Sequence, residues 1–255
     1  MFSSEKVNTG RQVELDIARG LAVLFMIFIH AQENLANQAV QESLFGQFND
    51  FVGTVPAAPV FMFLMGLGIV YSRKNDPATY YKRGALLFLS GFILNVLCGF
   101  LPNLVQAFLS PQSSQTFLTQ AIMNLFEIDI LPFAGLAMIT FGLIKQFNLK
   151  NYHVAFLALG FGLLNFLISP LVPSNPILAT FLGLFWGTNS LSYFPFLSWI
   201  FYPLVGYLFG NLLIRCTNKN RFYRLVAASS ILFYSLLFPS FLSFLQCSET
   251  PAWII

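Results

Sequence analysis

Apolar runs dominate the chain, and polar residues interrupt them at intervals close to the thickness of a bilayer. Stretches long enough to cross fall at roughly 14–36, 51–72, 84–108, 128–146, 152–171, 194–214 and 223–245, because a crossing takes about 20 residues. Hydrocarbon offers the backbone no hydrogen bonds, so each such segment is expected to be a helix. The pattern predicts an all-α fold, a polytopic transmembrane helix bundle of about seven spans. Two stretches stand outside that count. Residues 177–187 are apolar but too short to cross, and read as a re-entrant or interfacial segment. Residues 112–126 are amphipathic and are expected along the outer surface. About thirteen largely polar positions precede the first apolar run and no small-residue cleavage site follows it, so 21–29 reads as mid-span rather than as a signal peptide.

Charge placement tests the count independently. Lys6, Arg11 and Arg19 flank the start of the first span. Arg73, Lys74, Lys82 and Arg83 mark the second connection, Lys145 and Lys150 the fourth, and Arg215, Lys219, Arg221 and Arg224 the sixth. The intervening connections carry Glu33, Glu42 and Asp50, then Glu127 and Asp129, but neither Lys nor Arg; 172–193 has no charge, and Glu249 follows the last span. With seven crossings all thirteen basic residues fall on one side, as the positive-inside rule requires, which places the N-terminus in the cytoplasm. Counting 177–187 as a full span would send the 215–224 cluster outside. Tyr80, Tyr81, Tyr223 and Trp253 are expected at the interfaces, where amphipathic rings belong.

Composition agrees. Of 255 residues 56% are apolar and 9% charged, against about 25% charged in soluble domains. The basic residues are dispersed among short loops, which argues against nucleic-acid binding. Cys98, Cys216 and Cys247 are far apart, with neither metal-ligand nor disulfide spacing; Cys98 reads as a small apolar residue within a helix. No repeat or soluble domain interrupts residues 1–255, which read as one membrane domain.

Chemistry concentrates in the first span. Arg19 and His30 are eleven residues apart, which puts them within about 20° on one helix face and roughly 16 Å apart along the axis. Asp16 stands three residues before Arg19, close enough to pair with it, and Glu33 and Asn34 stand three and four after His30, close enough to orient its ring. Histidine is the usual general base near neutral pH, and a carboxylate partner fixes its tautomer. Taken singly, Arg19 also reads as a snorkelling anchor and His30 as a polar cap. Glu127 and Asp129 read either as a solvated helix start or as residues that bind the acceptor or partner His30. Asn95 and Asn165 read as interhelical hydrogen-bond donors. Gly66, Gly68, Gly160 and Gly162 read as close-packing points, and His153 as an interfacial residue.

The run from Arg11 through Glu14, Asp16, Arg19 and Gly20 to His30 resembles the opening of transmembrane acyltransferases, above all the catalytic domain of the heparan-α-glucosaminide N-acetyltransferase family. Acyltransferase-3 enzymes, which O-acylate surface polysaccharides, are wider relatives. The glycine-bearing stretch from Pro59 to Lys74, the run from Phe126 to Ala137 and that from Phe194 to Gly210 are similar to the same family. The resemblance implies transfer of an acyl, typically acetyl, group from cytoplasmic acyl-CoA to a saccharide-like acceptor at the outer face, without a metal. It implies His30 as general base or transient acyl carrier with Glu33 beside it. Arg19, Asp16, Arg73 and Lys74 would then hold the donor, and Asn34 and Asp129 the acceptor hydroxyl or amine. Longer members have more helices, so this chain reads as a short or truncated member. The partners implied are the lipid bilayer and a small-molecule or glycan acceptor; an oligomer is allowed, and a bacterial inner membrane is the expected site. A different class, a small transporter or flippase with the Arg19/His30 face as its path, is the competing reading, although the paired repeats of many transporters are missing.

Overall fold

The computed structural model describes residues 2–247; Glu249 and Trp253 lie outside the described residues. Among these the chain is helical throughout, with isolated bridges in place of strands. Each of the seven long apolar stretches lies on helix. Three described helical segments, Pro77–Leu109, Asn151–Ile168 and Phe196–Leu213, are long and apolar enough to cross a membrane.

Helix α1, Val13–Leu35, opens the larger of two compact units, residues 11–211. What reads in sequence as a plain outward loop folds as two short helices, α2 at Gln38–Gln41 and α3 at Leu44–Val52. Asn37 and Ser43 start them, each side-chain oxygen accepting an orphan backbone N–H, from Val40 and Gly46 respectively. Helix α3 continues without a break through a π turn, Gly53–Ala57, into α4, Ala58–Val70. The second apolar stretch is therefore not one regular helix from 51. Pro56 explains the wide turn: it lacks an N–H, and its ring would press on the carbonyl four residues back in a regular α-helix. The same device recurs in the long segment that follows. Helix α5, Pro77–Leu94, widens at Asn95–Phe100 and resumes as α6, Leu101–Leu109, with Pro102 in its first turn. Cys98 is exposed within that widened turn.

Helix α7, Ser114–Leu125, folds back along this widened turn with Ala121 buried, so the amphipathic stretch is packed on the protein along one side. Helix α8 follows, Ile130–Gln146, then α9, Asn151–Ile168. Next come α10, Pro176–Trp186, the single turn α11, Phe196–Trp199, and α12, Phe201–Leu213. Helix α10, at 11 residues, spans only about 16 Å. Its left-handed cap Gly187 (φ 63°) ends it.

Small residues let these helices meet backbone to backbone. A Cβ on Gly66 would overlap the carbonyl of Pro203, and one on Gly206 the carbonyl of Phe63, so α4 and α12 cross in direct contact. Gly84 faces Gly135 and Gly91 faces Pro132 along α5 and α8. Contact of this kind replaces the hydrophobic drive that lipid does not supply. Around it lie Met62, Ile69, Phe133, Phe141, Ile200 and Leu204. Tyr80 is in this core too, fully buried with its hydroxyl donating to Asn75; it is not the interfacial ring that its position near a predicted boundary suggests. Gly160 and Gly162 are not packing points either, for a Cβ on either would meet nothing within 4 Å. Asn95 and Asn165 do bond across helices or loops: Asn95 donates to the Glu127 carbonyl at 2.7 Å, and Asn165 accepts from Ser198.

In the smaller unit, residues 1–10 and 212–255, the N-terminal arm lies along the connection before α13, Lys219–Cys247. Ser3 donates to the Arg215 carbonyl, Val7 and Asn8 to that of Ile214, and the Phe2 ring meets Phe222 edge-on.

Candidate functional site at the two ends of the first helix

Helix α1 buries one edge, marked by Ala22 and Ile29, against the π turn and α4. Counting about 100° per residue, Arg19 and His30 stand about 60° and 80° round from Ala22 on one flank of that edge. An apolar groove of about 190 Å³, lined by Leu21, Phe25, Pro56 and Val60 among others, runs along the other flank.

At the C-terminal end of α1 the His30 ring is 72% exposed, and its Nδ1 lies 3.2 Å from Glu33 Oε2. With the carboxylate accepting from Nδ1–H, Nε2 carries the lone pair. Asn34 does not hold the ring. Its amide donates to the His30 backbone carbonyl at 2.7 Å, a contact within the last turn of α1. A polar cleft of about 240 Å³ opens beside Glu33, lined by Ile29, Gln32, Glu33, Gln41, Gln47 and Asp50. Behind it Asn49 is buried and ties α3 to α1, donating to the Phe28 carbonyl and to Gln32 Oε1, while Gln32 donates to the Gly46 carbonyl. Gln41, Gln47 and Asp50 are lining residues that the sequence pattern does not single out. The caps Asn37 and Ser43 were the available signal, since helices there turn these side chains back toward α1.

Toward the N-terminal end of α1 Arg19 is half-exposed. Its Nη1 is 3.8 Å from Asp16 Oδ1, while Asp16 Oδ2 is held by Arg11 Nε at 2.7 Å. The tighter partner of Asp16 is thus Arg11 rather than Arg19. Arg19 Nη2 reaches α4, 3.5 Å from where a Cβ on Gly68 would stand, an ordinary contact distance, so the guanidinium lies beside α4 at Gly68. Arg73 and Lys74 follow α4 within four residues and are exposed at this same end. Lys145 is drawn instead to the ring of Tyr207, 5.4 Å from its centroid.

Asp129 makes no hydrogen bond or ion pair with His30; it caps α8, accepting from the Ile130 N–H. Glu127 beside it is half-buried, and burial, with the Asp129 charge adding to it, raises its carboxyl above the ordinary carboxylate range. Ile128, between them, is tied to the loop after α10 through the Leu191 carbonyl and the Tyr193 N–H. An apolar cleft of about 520 Å³ lies there, walled by Phe88, Phe92, Phe126, Ile128 and one face of α10. His153 accepts from the Lys150 N–H and closes a capping box at the start of α9. Among the described residues no group of three or more His, Cys, Asp or Glu is placed to hold a metal ion.

Long apolar helices joined by glycine contacts, with charged side chains gathered at helix ends, define an integral membrane protein. Residues 11–240 match the family model described as heparan-alpha-glucosaminide N-acetyltransferase, catalytic, and the chain belongs to that family of membrane-bound acetyltransferases. No curated protein and no solved structure matches the chain significantly.

Proposed function

We propose that this transferase moves an acetyl group from cytoplasmic acetyl-CoA to a saccharide-like acceptor at the outer face, across a domain of seven spans in which α10 does not cross. The observation that carries the reading is the His30–Glu33 pair on the same flank of α1 as Arg19, roughly 16 Å farther along the axis. The donor is a thin arm with an anionic head. Arg19, with Arg73 and Lys74 at the same end, holds the head at the cytoplasmic face, and Asp16, itself held by Arg11, orients Arg19 as a loose counter-charge 3.8 Å away. Only the uncharged arm then enters the membrane, where a buried charge is costly.

The acceptor enters at the polar cleft, where side-chain amides and carboxylates match the hydroxyls of a sugar, and Asn34, next in sequence to the lining residue Glu33, contributes to holding it. His30 Nε2 takes the proton from the acceptor O–H or N–H as that atom bonds to the acetyl carbonyl carbon. The C–S bond breaks and the CoA thiolate leaves, to be protonated in turn. Glu33 stabilises the imidazolium that forms. Asp129 serves the acceptor, if at all, through the α8 end that it caps. A bacterial inner membrane with the N-terminus inside is the setting this arrangement fits.

Labelled acetyl-CoA tests the reading. His30→Ala should lower transfer by about 10²–10⁴-fold and leave CoA binding intact, whereas Arg19→Ala should weaken CoA binding. Purified protein that binds no CoA, or a His30→Ala variant that transfers normally, would overturn it.

A further inference from the structure

Tyr71 ends α4, and its hydroxyl oxygen is buried without a hydrogen-bond partner. Buried hydroxyls are almost always bonded, so an orphan of this kind calls for a reason. Its place supplies one. Tyr71 stands three residues beyond Gly68, against which the Arg19 guanidinium rests, and so on the same side of α4. From α1 the Glu14 charge acts on the hydroxyl. The phenol therefore sits at the seam of α1 and α4, at the end where the donor is held.

The surroundings choose the ligand group. A phosphate oxygen is a poor match, because Glu14 places negative charge at this point. A phenol O–H is a donor, and a neutral carbonyl oxygen accepts it without repulsion. Arg19 is half-exposed, and at 3.8 Å its Asp16 contact is longer than a hydrogen bond, so the guanidinium can turn toward the arriving head and open the seam. Resting on the acetyl-CoA reading above, we infer that the Tyr71 hydroxyl donates to an amide carbonyl of the donor's arm, between nucleotide and thioester. It is a positioning residue: it sets how far the arm advances along α1, and hence where the thioester stops relative to His30.

Tyr71→Phe removes the oxygen alone, and an unpartnered oxygen makes an unusual forecast. The ligand-free variant should melt at the same temperature as the unaltered protein or higher. CoA should bind it about three- to tenfold more weakly, the range for one neutral hydrogen bond. Adenosine 3′,5′-bisphosphate, which has the head but no arm, should bind both proteins equally, while Arg19→Ala weakens both ligands. A lowered melting temperature would mean that the hydroxyl already has a partner in the protein, and overturns the inference. So does undiminished CoA affinity, or an equal loss for both ligands. If the unaltered protein binds the bisphosphate and CoA and only the Tyr71 forecast fails, the acetyltransferase reading stands. If it binds neither, that reading falls and the role of Tyr71 with it.

Discussion

Two carboxylates, Glu33 and Glu127, show how environment separates residues of one type. Glu33 is exposed beside an imidazole, where it serves as an acceptor for Nδ1–H and leaves Nε2 without the proton. Glu127 is half-buried and next to Asp129, so burial first and like charge second favour its protonated form. The sign of the pH effect follows. A carboxyl whose folded pKa is raised stabilises the fold fully below the ordinary carboxyl range, about pH 4. That contribution is lost as pH rises through the raised value, because the unfolded chain releases the proton first. The melting temperature should therefore fall as pH climbs from about 4, and Glu127→Gln should flatten that part of the profile. An unchanged slope in the variant would assign the effect elsewhere. The His30–Glu33 pair was legible in sequence because both groups share one helix. Asn34 was misassigned to the ring, while Asp16 pairs with Arg19 as its spacing suggests and more closely with Arg11; which of several reachable atoms a side chain takes is not decided by spacing alone. Tyr71 gave no signal at all, since its interest lies in a missing bond.

Helices were legible where apolar length alone dictates them, as in α1, α5 and α9. Irregularities were not, although each has a cause in residues already visible: Pro56 and Pro102 sit where a regular helix would clash, and Asn37 and Ser43 start helices inside a segment that reads as a loop. Glycine shows the same gap between pattern and packing. Gly66 and Gly160 look alike in sequence, each two residues before a second glycine, yet one touches the Pro203 backbone and the other faces open space. Gly66→Ala should destabilise by about 1–3 kcal/mol or more, because backbone rather than a flexible side chain must move. Gly160→Ala should be neutral or stabilise by up to about 1 kcal/mol, the helix-propensity difference. Thermal unfolding in detergent would compare them. Equal losses would mean that the α4–α12 crossing is looser than its geometry, or that the α9 face is covered by something in the membrane.

At the scale of the whole molecule the question is which helices cross. Among the described residues three helical segments are long and apolar enough by themselves; α1 carries its charges at the ends, and α4 and α8 are short apolar helices extended by their neighbours. Parity decides among the alternatives. Arg73 and Lys74 end the second apolar stretch, and Lys145 and Lys150 separate α8 from α9, so the proposed topology has four crossings before α9 and returns the chain there to the cytoplasm. From there α9 leads out and α12 leads back to Arg215 and Lys219 only if α10 turns without crossing, which its roughly 16 Å length favours. Single cysteines in a background lacking Cys98, Cys216 and Cys247 can test this with a membrane-impermeant thiol reagent on intact cells. Asn37→Cys and Ser174→Cys, both exposed, should label from outside, and so should Asn189→Cys beyond α10. Asn75→Cys and Asn218→Cys should label only after the membrane is opened. The decisive pair for α10 is Ser174 and Asn189: labelling of one from each side would make α10 a crossing helix and send Arg215, Lys219, Arg221 and Arg224 outward, whereas reversed labelling of Asn37 and Asn75 would undo the orientation that puts the donor at Arg19 and the acceptor at His30.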